Sequence, residues 1–135
     1  MPAYSGTPLA RKLGIKEGCS VLLVRAPKAF ERELEGLPAS ATVTRTRRKS
    51  ALHDVIVCFV ESLGQLAESL DMLPPHMTPA CGLWIAWRKG RRGEGSFGEN
   101  SVREVGLRHG LVDNKVCAID ETWSGLRFVI RVKDR

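Results

Sequence analysis

The chain has 135 residues, 43% hydrophobic and 27% charged, with 21 Lys and Arg against 15 Asp and Glu for a formal charge of +6. That is the size and composition of one globular domain over 1–135, so disorder is not the default. The longest apolar run, Val55-Ile56-Val57-Cys58-Phe59-Val60, falls far short of the ~20 residues of a membrane span, and no early segment reads as a secretory signal, so a cytoplasmic location is expected.

Thr7-Pro8 reads as a helix start, a capping hydroxyl followed by proline at the first helical position, with Leu9 and Leu13 on one face and Gly14 as the stop. The first strand is Val21 to Val24. Pro27 to Leu37 reads as a helix with Ala29, Phe30 and Leu34 towards the core, and about Thr42 to Thr46 as a short second strand. Asp54 opens a third strand, Val55 to Val60, apolar on both faces as a central parallel strand should be. Ser62 caps a helix in which Leu63, Leu66, Ala67, Leu70 and Leu73 recur at three- and four-residue steps, and Pro74-Pro75 ends it. The fourth strand is Leu83 to Trp87. A basic, glycine-rich loop follows at about 88–99, the one segment expected to be flexible. Ser101 then caps a helix carrying Val102, Val105 and His109 on one side, closed by Gly110. Two last strands, about Lys115 to Ile119 and Leu126 to Val132, flank a turn at Trp123-Ser124-Gly125 short enough to make them an antiparallel hairpin.

This alternation implies a three-layer α/β domain with a mostly parallel sheet ending in an antiparallel hairpin. The pattern resembles a truncated Rossmann-type sheet, that of the class I methyltransferases, and the resemblance implies strand order 2-1-3-4-6-5 with one edge strand deleted. One joint resists it. About seven residues separate Thr46 from Asp54, where a parallel crossover commonly takes at least ~10–12. Individual segments are familiar too. Tyr4-Ser5-Gly6-Thr7-Pro8-Leu9, Leu83-Trp84-Ile85-Ala86-Trp87, Gly110-Leu111-Val112-Asp113 and Asp120-Glu121-Thr122-Trp123-Ser124-Gly125 resemble the bacterial family called domain of unknown function 3052. That resemblance implies a small cytoplasmic α/β domain and assigns no activity, substrate or catalytic residue.

The first strand leads into Arg25-Ala26-Pro27, where a nucleotide- or adenosylmethionine-binding domain places glycines so that a ligand can approach backbone N–H groups. The second strand ends in Arg45-Thr46-Arg47-Arg48-Lys49 where such a domain has a carboxylate for the ribose. Two requirements of a methyltransferase site therefore fail. The same positions suit an anion instead. Arg25, Arg47 and Arg88 would lie at the carboxyl ends of parallel strands, with Arg91 and Arg92 on the basic loop able to fold over them. Solvation, or pairing with Glu61, Glu94 and Glu99, is the competing account.

The remaining candidates carry less chemistry. Two basic clusters, Arg45 to Lys49 and Arg88 to Arg92, the second near Trp84 and Trp87, admit nucleic-acid binding, but odd spacing sends the two indoles to opposite faces and at least one into the core. At Trp123-Ser124-Gly125 the packing account has Trp123 on the sheet, Gly125 supplying an unusual backbone angle and Ser124 capping the turn, whereas Asp120, Glu121, Thr122 and Ser124 could face a ligand. Tyr4, Ser5 and Thr7 belong to the opening motif without an assigned role. Cys19, Cys58, Cys81 and Cys117 read as core thiols, and with His53, His76 and His109 they show no metal-ligand spacing. No serine-histidine-aspartate set is supported, and His109 reads as a packing residue. The favoured expectation is a non-catalytic binding or regulatory domain with no cofactor and an anionic small molecule as partner. A divergent adenosylmethionine-dependent methyltransferase and a nucleic-acid-binding accessory protein are the alternatives.

Overall fold

The computed structural model describes residues 7–90 and 96–135. Its strands are β1 (Ser20–Val24), β2 (Thr42–Thr44), β3 (His53–Phe59), β4 (Met77–Arg88), β5 (Leu111–Ala118) and β6 (Trp123–Ile130), and its α-helices are α1 (Leu9–Lys12), α2 (Leu63–Met72) and α3 (Glu99–Arg108). They form one six-stranded sheet in the order β2-β1-β3-β4-β6-β5. β1 to β4 run parallel, and β6 lies antiparallel between β4 and β5. This is the order that the resemblance to the class I methyltransferase sheet implied.

The sheet is apolar on both sides because its strands alternate two sets of buried residues. On one face Leu22, Ile56, Cys58, Leu83, Leu126 and Phe128 pack under α2 and α3. On the other, Val21, Val57, Phe59, Trp84 and Trp123 pack with α1 and with Phe30 of a 3₁₀ turn over Phe30–Glu33. Trp84 and Trp87 fall in opposite clusters as expected, and both are buried, so neither is available for stacking on a base. Among the described residues no helix is long and apolar enough to cross a membrane.

The segment read as a helix over Pro27 to Leu37 forms only that single 3₁₀ turn. Ala29 adopts a left-handed backbone (φ 66°) at its start, and Gly36 (φ 81°) turns the chain just beyond its end, which leaves no room for an α-helical run. Phe30 and Leu34 are nevertheless buried, but Ala29, read towards the core with them, is exposed, so the spacing predicted only part of the burial and not the helix. The short joint from β2 to β3 is real. β2 stops level with Leu22, and Val55 sits level with Val21. The return therefore covers roughly 10 Å along the strands and roughly 10 Å across them, within reach of residues 45–52 without a helix.

Other boundaries move by small amounts. Pro8, not Thr7, occupies the cap position of α1, and α3 begins at Glu99 after Gly98, so Ser101 lies inside the helix. β4 is much longer than read, because Thr78–Cys81 bulge out between the pairs His53–Met77 and Val55–Gly82. A second bulge inserts Asn114 in β5, between Asp113 opposite Phe128 and Lys115 opposite Arg127. His109 holds its place by hydrogen bonds, Nδ1 to Val105 O at 2.9 Å and Nε2 to Asp71 Oδ1 at 3.2 Å. Of the basic loop read at 88–99, residues 91–95 lie outside the described ones.

Candidate functional site

In an open α/β sheet, ligands bind beyond the carboxyl ends of the strands, where the chain reverses direction. Here that edge is built by the turn after β1, the end of β2, the β3–α2 junction and the turn between β5 and β6. α2 starts cleanly at the junction. Ser62 Oγ accepts from Gln65 N at 3.0 Å, and Gln65 Oε1 reaches back to accept from Glu61 N at 2.7 Å. This reciprocal cap satisfies two otherwise orphaned donors.

Of the arginines expected here, the described ones, Arg25, Arg47 and Arg88, do not converge on a common pocket. Arg25 has a left-handed backbone (φ 55°), and its guanidinium donates to the buried Ser69 Oγ and, at 3.2 Å, to Gln65 O, tying the end of β1 to α2. Arg88 donates to both oxygens of Glu61 at 3.0–3.2 Å and lies 4.7 Å above the Trp123 ring. Arg47 is not at this edge. The chain after β2 turns back towards the amino ends of the strands, and Arg47 lines a cavity of about 540 Å³ with Lys49, Ser50, Pro75 and His76. Arg91, Arg92, Tyr4 and Ser5 lie outside the described residues.

Arg45, the first residue after β2, does what no sequence feature announced. It donates to Ala26 O and Pro27 O, each at 2.8 Å, and through Nε and Nη2 to both carboxylate oxygens of Glu31 at 2.7 and 2.8 Å. The Arg45 guanidinium so favours the charged carboxylate that Glu31 is held down at about 2, well below its ordinary value. The latch therefore stays ion-paired throughout the physiological range. It also bears on the cofactor that such a fold implies. A glycine-rich turn offers N–H groups, whereas this turn offers two carbonyls, both already taken by Arg45, and a proline with no N–H. The residues of this turn do not fit the usual adenosylmethionine cradle.

The β5–β6 turn is held by Asp120, whose Oδ1 accepts from Thr122 N at 2.7 Å and Trp123 N at 2.8 Å. Asp120, and not Ser124, is thus the turn's cap. Gly125 lies in extended β6, and its need is space. A Cβ there would come within 2.9 Å of Ile119 and 3.1 Å of Trp84. Ser124 is half-buried opposite Trp87 in the β4–β6 ladder, and Trp123 meets Phe59 edge-on at 5.0 Å.

Beside that turn a cavity of about 310 Å³ brings together Thr7, Lys12, Arg32, Glu33 and Asp120. Partial burial, then a hydrogen bond to Asp120 and its negative charge, push the Glu33 carboxyl up to about 7. The folded protein thus prefers Glu33 protonated. Its stabilising contribution is complete below the ordinary carboxylate value and is lost as pH rises through about 7. Because the residue as a whole is exposed, solvent screens the pair and the effect is modest. The melting temperature of the wild type should fall between pH 5 and pH 8 relative to that of Glu33→Gln, whose amide keeps the hydrogen bond without titrating. Parallel profiles would refute the shared proton.

Comparison with known proteins follows the architecture. No family model matches the chain, and no curated protein is similar to it. Solved structures are. A SAM-dependent methyltransferase from Aquifex aeolicus superposes with a TM-score of 0.66 at 14% identity, over 89% of this chain and 87% of that one. A TehB-like SAM-dependent methyltransferase from Corynebacterium glutamicum gives 0.55 at 11% identity, over 96% and 90%. A fibrillarin pre-rRNA processing protein from Methanococcus jannaschii gives 0.56 at 12%, over 92% and 69%. The fold is that of the class I methyltransferases. This finding overturns the expectation of a non-catalytic binding or regulatory domain, which rested on the missing glycines.

Proposed function

We propose that the chain is a divergent adenosylmethionine-dependent methyltransferase. One observation carries this reading, the superposition on a methyltransferase over nearly nine-tenths of both chains. The altered turn after β1 specifies how such an enzyme must differ from the usual pattern. Arg45 bridges Ala26, Pro27 and Glu31 where the cofactor would approach the backbone, so binding there competes with the latch.

The competition gives the test. Adenosylmethionine and its demethylated product are titrated into the wild type and Glu31→Gln while thermal shift and binding heat are recorded. An exposed two-point ion pair is worth roughly 0.2–1 kcal/mol, so Glu31→Gln is expected to bind up to about fivefold tighter. Failure of both proteins to bind either compound at millimolar concentration refutes the methyltransferase reading. We further propose kinship with domain of unknown function 3052, supported by Leu83–Trp87, Gly110–Asp113 and Asp120–Gly125.

A further inference from the structure

We propose that the amino-terminal end of the sheet, opposite the cofactor edge, binds a small polyanion carrying phosphate groups. The cavity there measures about 430 Å³, within the range of small-ligand sites. Five of its lining side chains are basic, Arg11, Lys12, Lys16, Lys115 and Arg127, and one is acidic, Asp54. Asp54 offsets one of these charges, so the lining as a whole stays basic. Its Oδ2 accepts from Ser20 N at 2.9 Å, and its Oδ1 accepts from Thr78 Oγ1 at 3.4 Å.

Arg127 is the centre of the argument. Leu126 and Phe128 point to the face of α2 and α3, so Arg127 between them points to the opposite face and lies half-buried across the sheet. Its guanidinium rests on the backbone of Gly82, where a Cβ would stand 2.5 Å from Nε and 2.9 Å from Cζ. Its one side-chain hydrogen bond among the described residues is Nη1 to Asn114 Oδ1, a neutral acceptor at 3.2 Å. Burial holds this guanidinium below its ordinary value, as expected for a cation without an anionic partner. A half-buried arginine in such a setting is costly until an anion meets it.

The sheet is deformed to make this space. Both of its irregularities border the cavity, the Thr78–Cys81 bulge through Thr78 and Ala80, and the β5 bulge through Asn114 itself. Bulges commonly re-aim side chains beside functional sites. Arginine and lysine around a concave floor suit multiply charged phosphate oxygens. No aromatic ring lines the cavity among the described residues, so recognition is by charge, which favours a small polyanion over single-stranded nucleic acid.

Calorimetry at constant ionic strength, with tripolyphosphate and with a sugar bisphosphate, tests this on the full chain. The wild type is expected to bind at least one, and the tighter of the two assigns the source to condensed phosphate or phosphate ester. Arg127→Met is expected to weaken that binding at least about tenfold, the loss of a charged hydrogen bond, and the exposed Lys16→Glu about threefold or more. Arg108→Ala, on α3, leaves it unchanged. Lys16→Glu keeps the test valid should Arg127→Met fail to fold. The proposal is overturned if the wild type binds neither compound or if affinity survives both cavity variants. It is also overturned if an oligonucleotide binds more tightly than either compound and independently of Arg127.

Discussion

Trp84→Ala is expected to cost about 3–5 kcal/mol of stability. Trp84 is fully buried in the middle of β4, paired with Val57 on one side and Arg127 on the other. Its indole packs against Gly125, and its Nε1 donates to Leu13 O at 3.0 Å, the hydrogen bond that seats the end of α1 on the sheet. Truncation therefore opens a cavity and orphans a buried carbonyl together. Trp84→Phe separates the two effects, since it keeps most of the ring and loses only the donor, at about 1–3 kcal/mol. Urea midpoints with unchanged slope are the measurement. An alanine variant within 1 kcal/mol of wild type would show that α1 is not anchored here.

Gly106→Ala is expected to destabilise by roughly 1–2 kcal/mol, although alanine is the better helix former by about 1 kcal/mol. A Cβ at Gly106 would stand 2.1 Å from Cε1 and 2.4 Å from Cζ of Phe128, whose ring is fully buried between α3 and the sheet. The ring has nowhere to retreat, so α3 must lift and the overpacking outweighs the propensity gain. Phe128→Leu in the same chain removes the obstacle. The double variant should therefore be more stable than the sum of the two single changes implies. Strict additivity would mean that the contact does not limit the approach of α3.

The architecture was legible because its signals are local. Val55–Val60 is apolar on both faces only because it lies in mid-sheet, and Ser62 marks the start of α2 in the sequence itself. The antiparallel hairpin followed from the short connection, although the turn falls at 119–122 and not at Trp123-Ser124-Gly125, which open β6. The failed helix after β1 shows the limit of periodicity. Phe30 and Leu34 have helical spacing, yet the backbone at Ala29 and Gly36 is set by the need to reach β2. The site chemistry was less legible because it depends on partners far apart in sequence. Nothing in the sequence joins Arg45 to Ala26 and Glu31, Glu33 to Asp120, or Arg127 to the flat backbone of Gly82. The charges were visible, but which of them would be spent inside the fold was not.

The bulge at Asn114 has a bearing on solubility. β5 is an outer strand of eight residues, Leu111–Ala118, and among the described residues no strand pairs with the row of backbone donors and acceptors along its outer side. Such a row invites a strand from another molecule. The extra residue interrupts the row near its middle and is followed by the exposed Lys115, so an incoming strand would lose register and meet a charge. At the other end of the sheet β2 is only three residues long and runs straight into Arg45. The distortion that shapes the basic cavity thus also guards an exposed border, and a variant that straightened β5 would expose the chain to edge-to-edge association.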